Sequence, residues 1–184
     1  MSEFDELLAW SKVPVPEGLR QLQPKQQQEV LSWAKNLVDH ETEGLDDLYN
    51  AIGMIVKYIP NFMVIPLMVE HIRPRIAAQV CIKMGIDQAT GYANDLPLEY
   101  FSKISTYLDE KLMAQVLTKM KRSQIEKFII MTLKEDPARI LDIANYLERP
   151  VLEILAKYVA LPEDESELAT SPYRELFAKI RSMQ

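Results

Sequence analysis

The sequence predicts an all-α protein of stacked helical hairpins, forming a short solenoid or superhelical bundle. Three observations carry this. Helix formers fill the stretches between prolines, and the 184 residues include only five glycines; Leu, Ala, Lys, Glu, Gln and Met lose little rotamer freedom in a helix. Strand signals are nearly absent, since the apolar run Met54-Ile55-Val56 lies inside a helical pattern. Finally, one pattern recurs three times in the middle of the chain, as repeat architectures require.

At the N-terminus, Ser2 and Asp5 read as a capping pair ahead of Leu7, Leu8 and Trp10. Pro24 suits the first turn of a helix reaching about Asp39, with Val30, Leu31, Trp33, Ala34 and Leu37 at helical spacing. Gly44 precedes a third helix through Leu48, Ile52, Ile55 and Tyr58. At the far end, Ser171-Pro172 starts a helix carrying Tyr173, Leu176, Phe177 and Ile180. The acidic PEDESELAT stretch before it has no apolar period and reads as an exposed linker.

The repeat lies between these ends. HIRPRIAAQVCIKM from His71 aligns without gaps on YLDEKLMAQVLTKM from Tyr107 and then on YLERPVLEILAKYV from Tyr146, at steps of 36 and 39 residues. Ile72, Leu108 and Leu147 match, as do Val80, Val116 and Leu155, while Gln79 and Lys83 recur as Gln115 and Lys119. Short helices are predicted upstream of each copy, over 62–70, 98–106 and 137–145, with further helices over 87–95 and 123–133. The turns Arg73-Pro74, Asp109-Glu110 and Glu148-Arg149-Pro150 suit helix starts, where proline loses no hydrogen bond and an acid meets the positive end of the dipole. A short helix pair cannot bury its apolar stripe alone, so such pairs stack. The expected organisation is N-terminal helices over 1–58 that pack on or cap the repeats, repeats over 59–160, a linker over 161–170 and a C-terminal helix over 171–184.

Ile72-Arg73-Pro74 with Ala77-Ala78, and Leu108-Asp109-Glu110 with Ala114, follow a hydrophobic pair, a Leu-Asp-Pro-like turn and an Ala-Ala helix. Over about residues 60 to 160 this resembles the N-terminal intracellular domain of MgtE-type magnesium transporters and the middle region of the flagellar motor switch protein FliG. The resemblance implies superhelical packing and a habit of binding protein partners. It carries over no catalytic or metal residue, and Ile59-Pro60-Asn61-Phe62 stands where the flagellar protein has Glu-His-Pro-Gln.

No residue set names a reaction. Gly-x-Ser-x-Gly and phosphate-cradling glycine loops are absent from the sequence. His40 reads as a solvated helix end and His71 as a semi-buried packing position equivalent to Tyr107 and Tyr146; neither belongs to a metal motif. Asp46-Asp47 and Glu163-Asp164-Glu165 read as solvated charge, and no cofactor is expected. The single cysteine, Cys81, excludes an internal disulfide, fits a reducing cytoplasm and reads as a core thiol. The acidic N-terminus lacks the basic region of a signal peptide. The longest apolar stretch, Ile59 to Val69, is too short to span a bilayer.

Charge is segregated along the chain. Residues 1–50 hold 4 basic and 10 acidic side chains, residues 51–134 hold 11 and 7, and residues 135–184 hold 6 and 10. The basic centre nominates Arg73, Arg75, Lys83, Lys111, Lys119, Lys121, Arg122 and Lys127, with Lys103 nearby, as a surface for an acidic protein segment. The acidic segment from Glu163 to Glu167 would compete for it by folding back. Net charge is −6 and aromatics do not interleave with the basic run, which disfavours nucleic acid. Met54, Met63, Met68, Met84, Met113 and Met120 lie in or just before the repeats and read as core filling. The expectation is therefore a bacterial, cytoplasmic, non-enzymatic scaffold or adaptor, the alternative being a regulatory sensor of a divalent cation or small ligand. Leu7, Leu8 and Trp10 would cap the repeats or join two copies into a homo-oligomer.

Overall fold

A computed structural model describes residues 14–161 and 171–183. Among these the chain is all-α, with no strand. The expected Ser2–Asp5 cap, the Leu7-Leu8-Trp10 segment and linker residues 162–170 lie outside the described residues. The chain divides after Leu48 into two compact units, ahead of the boundary at 58 read from the sequence.

In the first unit, α1 (Glu17–Arg20) precedes α2 (Pro24–Glu41). Pro24 opens α2 as expected, and Gln23 and Gln26 exchange side-chain and backbone hydrogen bonds in a capping box. The Gln27 amide donates to the Leu19 and Arg20 carbonyls at 3.3 and 3.2 Å, tying α1 to α2.

Helix α3 (Leu45–Val56) runs across the division, and from Tyr49 it belongs to the second unit. Then follow α4 (Asn61–His71), α5 (Pro74–Met84), α6 (Ile86–Asp95), α7 (Leu98–Ser105), α8 (Glu110–Lys119), α9 (Arg122–Glu135), α10 (Pro137–Ala144), α11 (Arg149–Ala156) and α12 (Arg174–Arg181). The three anticipated turns all start helices. Pro74 sits in the first turn of α5, and the Asp109 carboxylate caps α8 by accepting from Leu112 N at 2.7 Å. Asp136 caps α10 in the same way, accepting from Arg139 N at 3.1 Å.

The repeat is a unit of three helices. Helices α4, α7 and α10 are its first members, α5, α8 and α11 its second, and α6 and α9 fill the gaps between copies. Packing follows the same order: α4 packs on α6, α5 on α7, α6 on α8, α7 on α9, α8 on α10 and α9 on α11. Each helix therefore covers the one two places further along, so a repeat's first two helices are covered by the repeat before it. Among the fully buried side chains are Ile104, Met113, Leu117, Phe128, Ile140, Leu152 and Ile180. The rings of Phe101 and Phe128 meet at 5.1 Å and 58° in this core.

Candidate functional site: an open apolar groove at the first repeat

The buried cluster begins at Ala77 and thins toward α3 and α4. One repeat position shows the gradient. Ile72 is 39% exposed, while its equivalents Leu108 and Leu147 are 6% and 5% exposed. In the second and third copies the preceding repeat lies over the first two helices; in the first copy α3 meets α5 where Gly53 lies against Met84, and much of α4 stays exposed.

A groove of about 310 Å³ opens there. Its walls are Ile52, Val56 and Ile59, then Met63, Val64, Leu67, Met68 and Ile72 from α4, and Ile76, Ala77, Val80, Cys81 and Met84 from α5, closed by Tyr92 of α6. On α5 these positions follow an i, i+4, i+8 stripe running the length of the helix. Helix α4 is apolar on several sides, and Ile65 and Met68 are the side chains it packs against the core. Phe62, Met63 and Leu67 consequently stay 76%, 51% and 59% exposed. Contiguous exposed apolar surface of this kind is uncommon on a folded chain.

The polar atoms in the wall are already engaged. The Tyr92 hydroxyl donates to the Val56 carbonyl at 3.0 Å, holding α6 against the end of α3. Burial pushes the Cys81 thiol up to about 11, so it stays protonated and weakly nucleophilic. Small-molecule sites fix their ligands with a few convergent polar groups; this groove supplies none.

The helices divide the nominated basic residues into two groups. Arg73, Arg75 and Lys111 lie at the starts of α5 and α8, with Arg75 and Lys111 at equivalent repeat positions. Lys83, Lys119, Lys121 and Arg122 lie at the far ends of those helices or just beyond, about 12 Å along the axis. Lys127 stands within α9 and is exposed, and Lys103 is exposed in the last turn of α7. Lys119 pairs with Asp87, and Lys121 Nζ lies 3.8 Å from Asp95 Oδ1. The Lys121 amide also donates to Asn94 Oδ1 at 2.7 Å. Reversing charge at Lys119 and Lys121 therefore perturbs the seam between α6 and α8 as well as the surface.

Two further sequence readings meet the structure differently. His71 is exposed, not semi-buried, and faces Glu70 at 3.8 Å; it ends α4, while Tyr107 and Tyr146, also exposed, sit on the turns before α8 and α11. The methionines split: Met113 and Met120 are core, Met63, Met68 and Met84 line the groove, and Met54 is exposed. The groove itself was missed by the sequence reading. Its signal was the stretch Ile59 to Val69, which carries no charge and is apolar around the whole helix.

Among the described residues, no three His, Cys, Asp or Glu side chains are grouped to hold a metal ion, and no helix is long and apolar enough to cross a membrane. No family model, curated protein or solved structure matches the chain.

Proposed function

We propose that this protein is a non-enzymatic scaffold or adaptor that holds another protein on its helical repeats, with the α3–α5 groove as the docking face. The observation that carries the reading is the exposed apolar surface of α4 and α5 among the described residues, beside helices whose apolar side chains are well buried. Packing of each helix on the second one following supports stacked pairs of the kind that the resemblance to the transporter and flagellar domains implies. The protein-binding reading is stronger than the sensor reading, because a wholly apolar wall suits the side chains of a partner better than a small polar ligand or a cation. A reducing, cytoplasmic setting accords with a lone thiol held in its protonated form.

The test is affinity capture from the native lysate with the tagged full chain and with a Leu67→Gln, Ile76→Gln double variant. Both positions are exposed in the groove wall, so the helical circular-dichroism signal should be unchanged. A protein retained by the wild type and lost from the variant supports the reading. No specific retention, or equal retention by both, overturns it.

A further inference from the structure

Resting on that scaffold reading, we infer that the groove's occupant is an amphipathic helix of a partner protein, with acidic residues flanking its apolar face. The shape of the occupant follows from the repeat. In the next copy, the helices equivalent to α4 and α5 are covered by helices, α5 on α7 and α6 on α8. On α5 a preceding helix is already present, since Gly53 of α3 lies against Met84; the place left open is the one over α4, and the groove's α5 wall runs from Ile76 to Met84, about 12 Å or two helical turns. Two turns match the i, i+3/i+4, i+7 anchors of a helix laid in a groove.

The charge of the occupant follows from the rim. Lys57, Arg73 and Arg75 stand on either side of α4, which itself holds one acid, Glu70. Glu70 lies within reach of His71, at 3.8 Å. Lys57 reaches over its neighbour's ring, 4.9 Å from the Tyr58 centroid. Arg73 and Arg75 are exposed, and among the described residues neither forms an ion pair. They flank Ile72 and Ile76 directly, so acids beside the partner's apolar stripe would meet them at the edge of the groove. Such charges steer association and fix register more than they add affinity.

The test uses two labelled helical peptides with the same leucine stripe, one flanked by glutamates and one by lysines. Binding to the full chain is followed by fluorescence anisotropy. The glutamate-flanked peptide should bind about tenfold or more tightly than the lysine-flanked one, with the gap closing at high salt. Leu67→Gln with Ile76→Gln should abolish binding of both peptides. Arg73→Glu with Arg75→Glu should erase the preference while leaving the fold intact. Equal binding of the two peptides, or binding of neither, overturns the inference. If the lysate capture still gives a partner lost from the groove variant, the scaffold reading survives that failure. Light scattering supplies the remaining outcome: a wild-type dimer that the groove variant turns into monomers would assign the groove to a second copy and overturn the inference.

Discussion

Tyr100 and Arg139 stand one repeat step of 39 residues apart and close the same turn in successive repeats. The Tyr100 hydroxyl donates to the Met68 and Ile72 carbonyls at 3.0 and 2.6 Å, where α4 ends. Arg139 Nη2 donates to the Ser105 carbonyl at 2.9 Å and to that of Leu108, where α7 ends. Ile72 and Leu108 are themselves repeat equivalents. Each first helix thus donates to carbonyls at the C-terminal end of the first helix before it, where backbone donors run short; Met68 and Ser105 also accept from Ile72 N and Leu108 N. Chemistry changes between copies while the task is kept. Arg139 also pairs with Glu110, and its Nε is buried without a partner.

Arg139→Met should destabilise the chain by about 2–4 kcal/mol, since two carbonyls lose a charged donor and Glu110 loses its counter-ion. Arg139→Lys should recover little, because an ammonium cannot fork between these acceptors. Tyr100→Phe removes only neutral bonds and should cost about 1–2 kcal/mol. Urea melts of the three variants check this order; a near-neutral Arg139→Met would show that the turns are held by packing alone.

Two glycines should respond to alanine in opposite directions. Gly85 joins α5 to α6 with φ 87° and ψ 159°, a backbone shape costly for any residue with a Cβ. No atom crowds the site, so the cost is conformational, about 1–3 kcal/mol. Gly53 lies within α3, and a Cβ there would meet Met84 Cβ at 3.5 Å, an ordinary contact. Gly53→Ala should therefore be neutral or stabilising by up to about 1 kcal/mol. Thermal melts of the two single variants give both signs.

Helix content, the three copies and their turns were legible in the sequence because they depend on local periodicity and on proline and acid placement. Ile72, Leu108 and Leu147 could be aligned by pattern alone. What pattern could not say is that the first of them stays open, because exposure depends on which helix covers which. The same limit applies to the basic centre. Arg75 and Lys83 are close in sequence yet at opposite ends of α5, and Lys119 and Lys121 meet Asp87 and Asp95 only through the packing of α6 on α8. Arg139 carries no signal of its role in the sequence, because that role becomes visible only once Tyr100 is seen to close the turn before it.

Burial that lifts the Cys81 thiol from its ordinary 9.0 to about 11 gives an alkaline dependence of definite sign. Between those values the unfolded chain has released the proton and the folded chain keeps it, so stability falls as pH rises. The contribution is complete below pH 9.0 and is lost as pH climbs through about 11. Tyr100, lifted to about 12 by burial and then by the Cys81 charge, extends the fall upward. Cys81→Ala should flatten the lower part of that limb in urea melts taken across the range. At about pH 8, Ellman's reagent should label the native thiol about a hundredfold more slowly than the unfolded one.

Repeat equivalence makes the last expectation a paired one. Leu108→Ala removes a side chain that is 6% exposed in the middle of the array, which costs about 2–5 kcal/mol through lost burial and the cavity left behind. Ile72→Ala acts on the matching residue of the first copy, where 39% exposure means less contact to lose and solvent to fill the space; its cost should stay below about 1.5 kcal/mol. The two diverge further on binding. With a saturating groove ligand the wild type gains stability as RT ln(1 + [L]/Kd); on the proposed docking face Leu108→Ala should gain the same increment and Ile72→Ala less, because Ile72 lines the groove. Melts of both variants with and without the glutamate-flanked peptide separate a residue that builds the array from one that waits for a partner, and equal increments would remove Ile72 from the docking face.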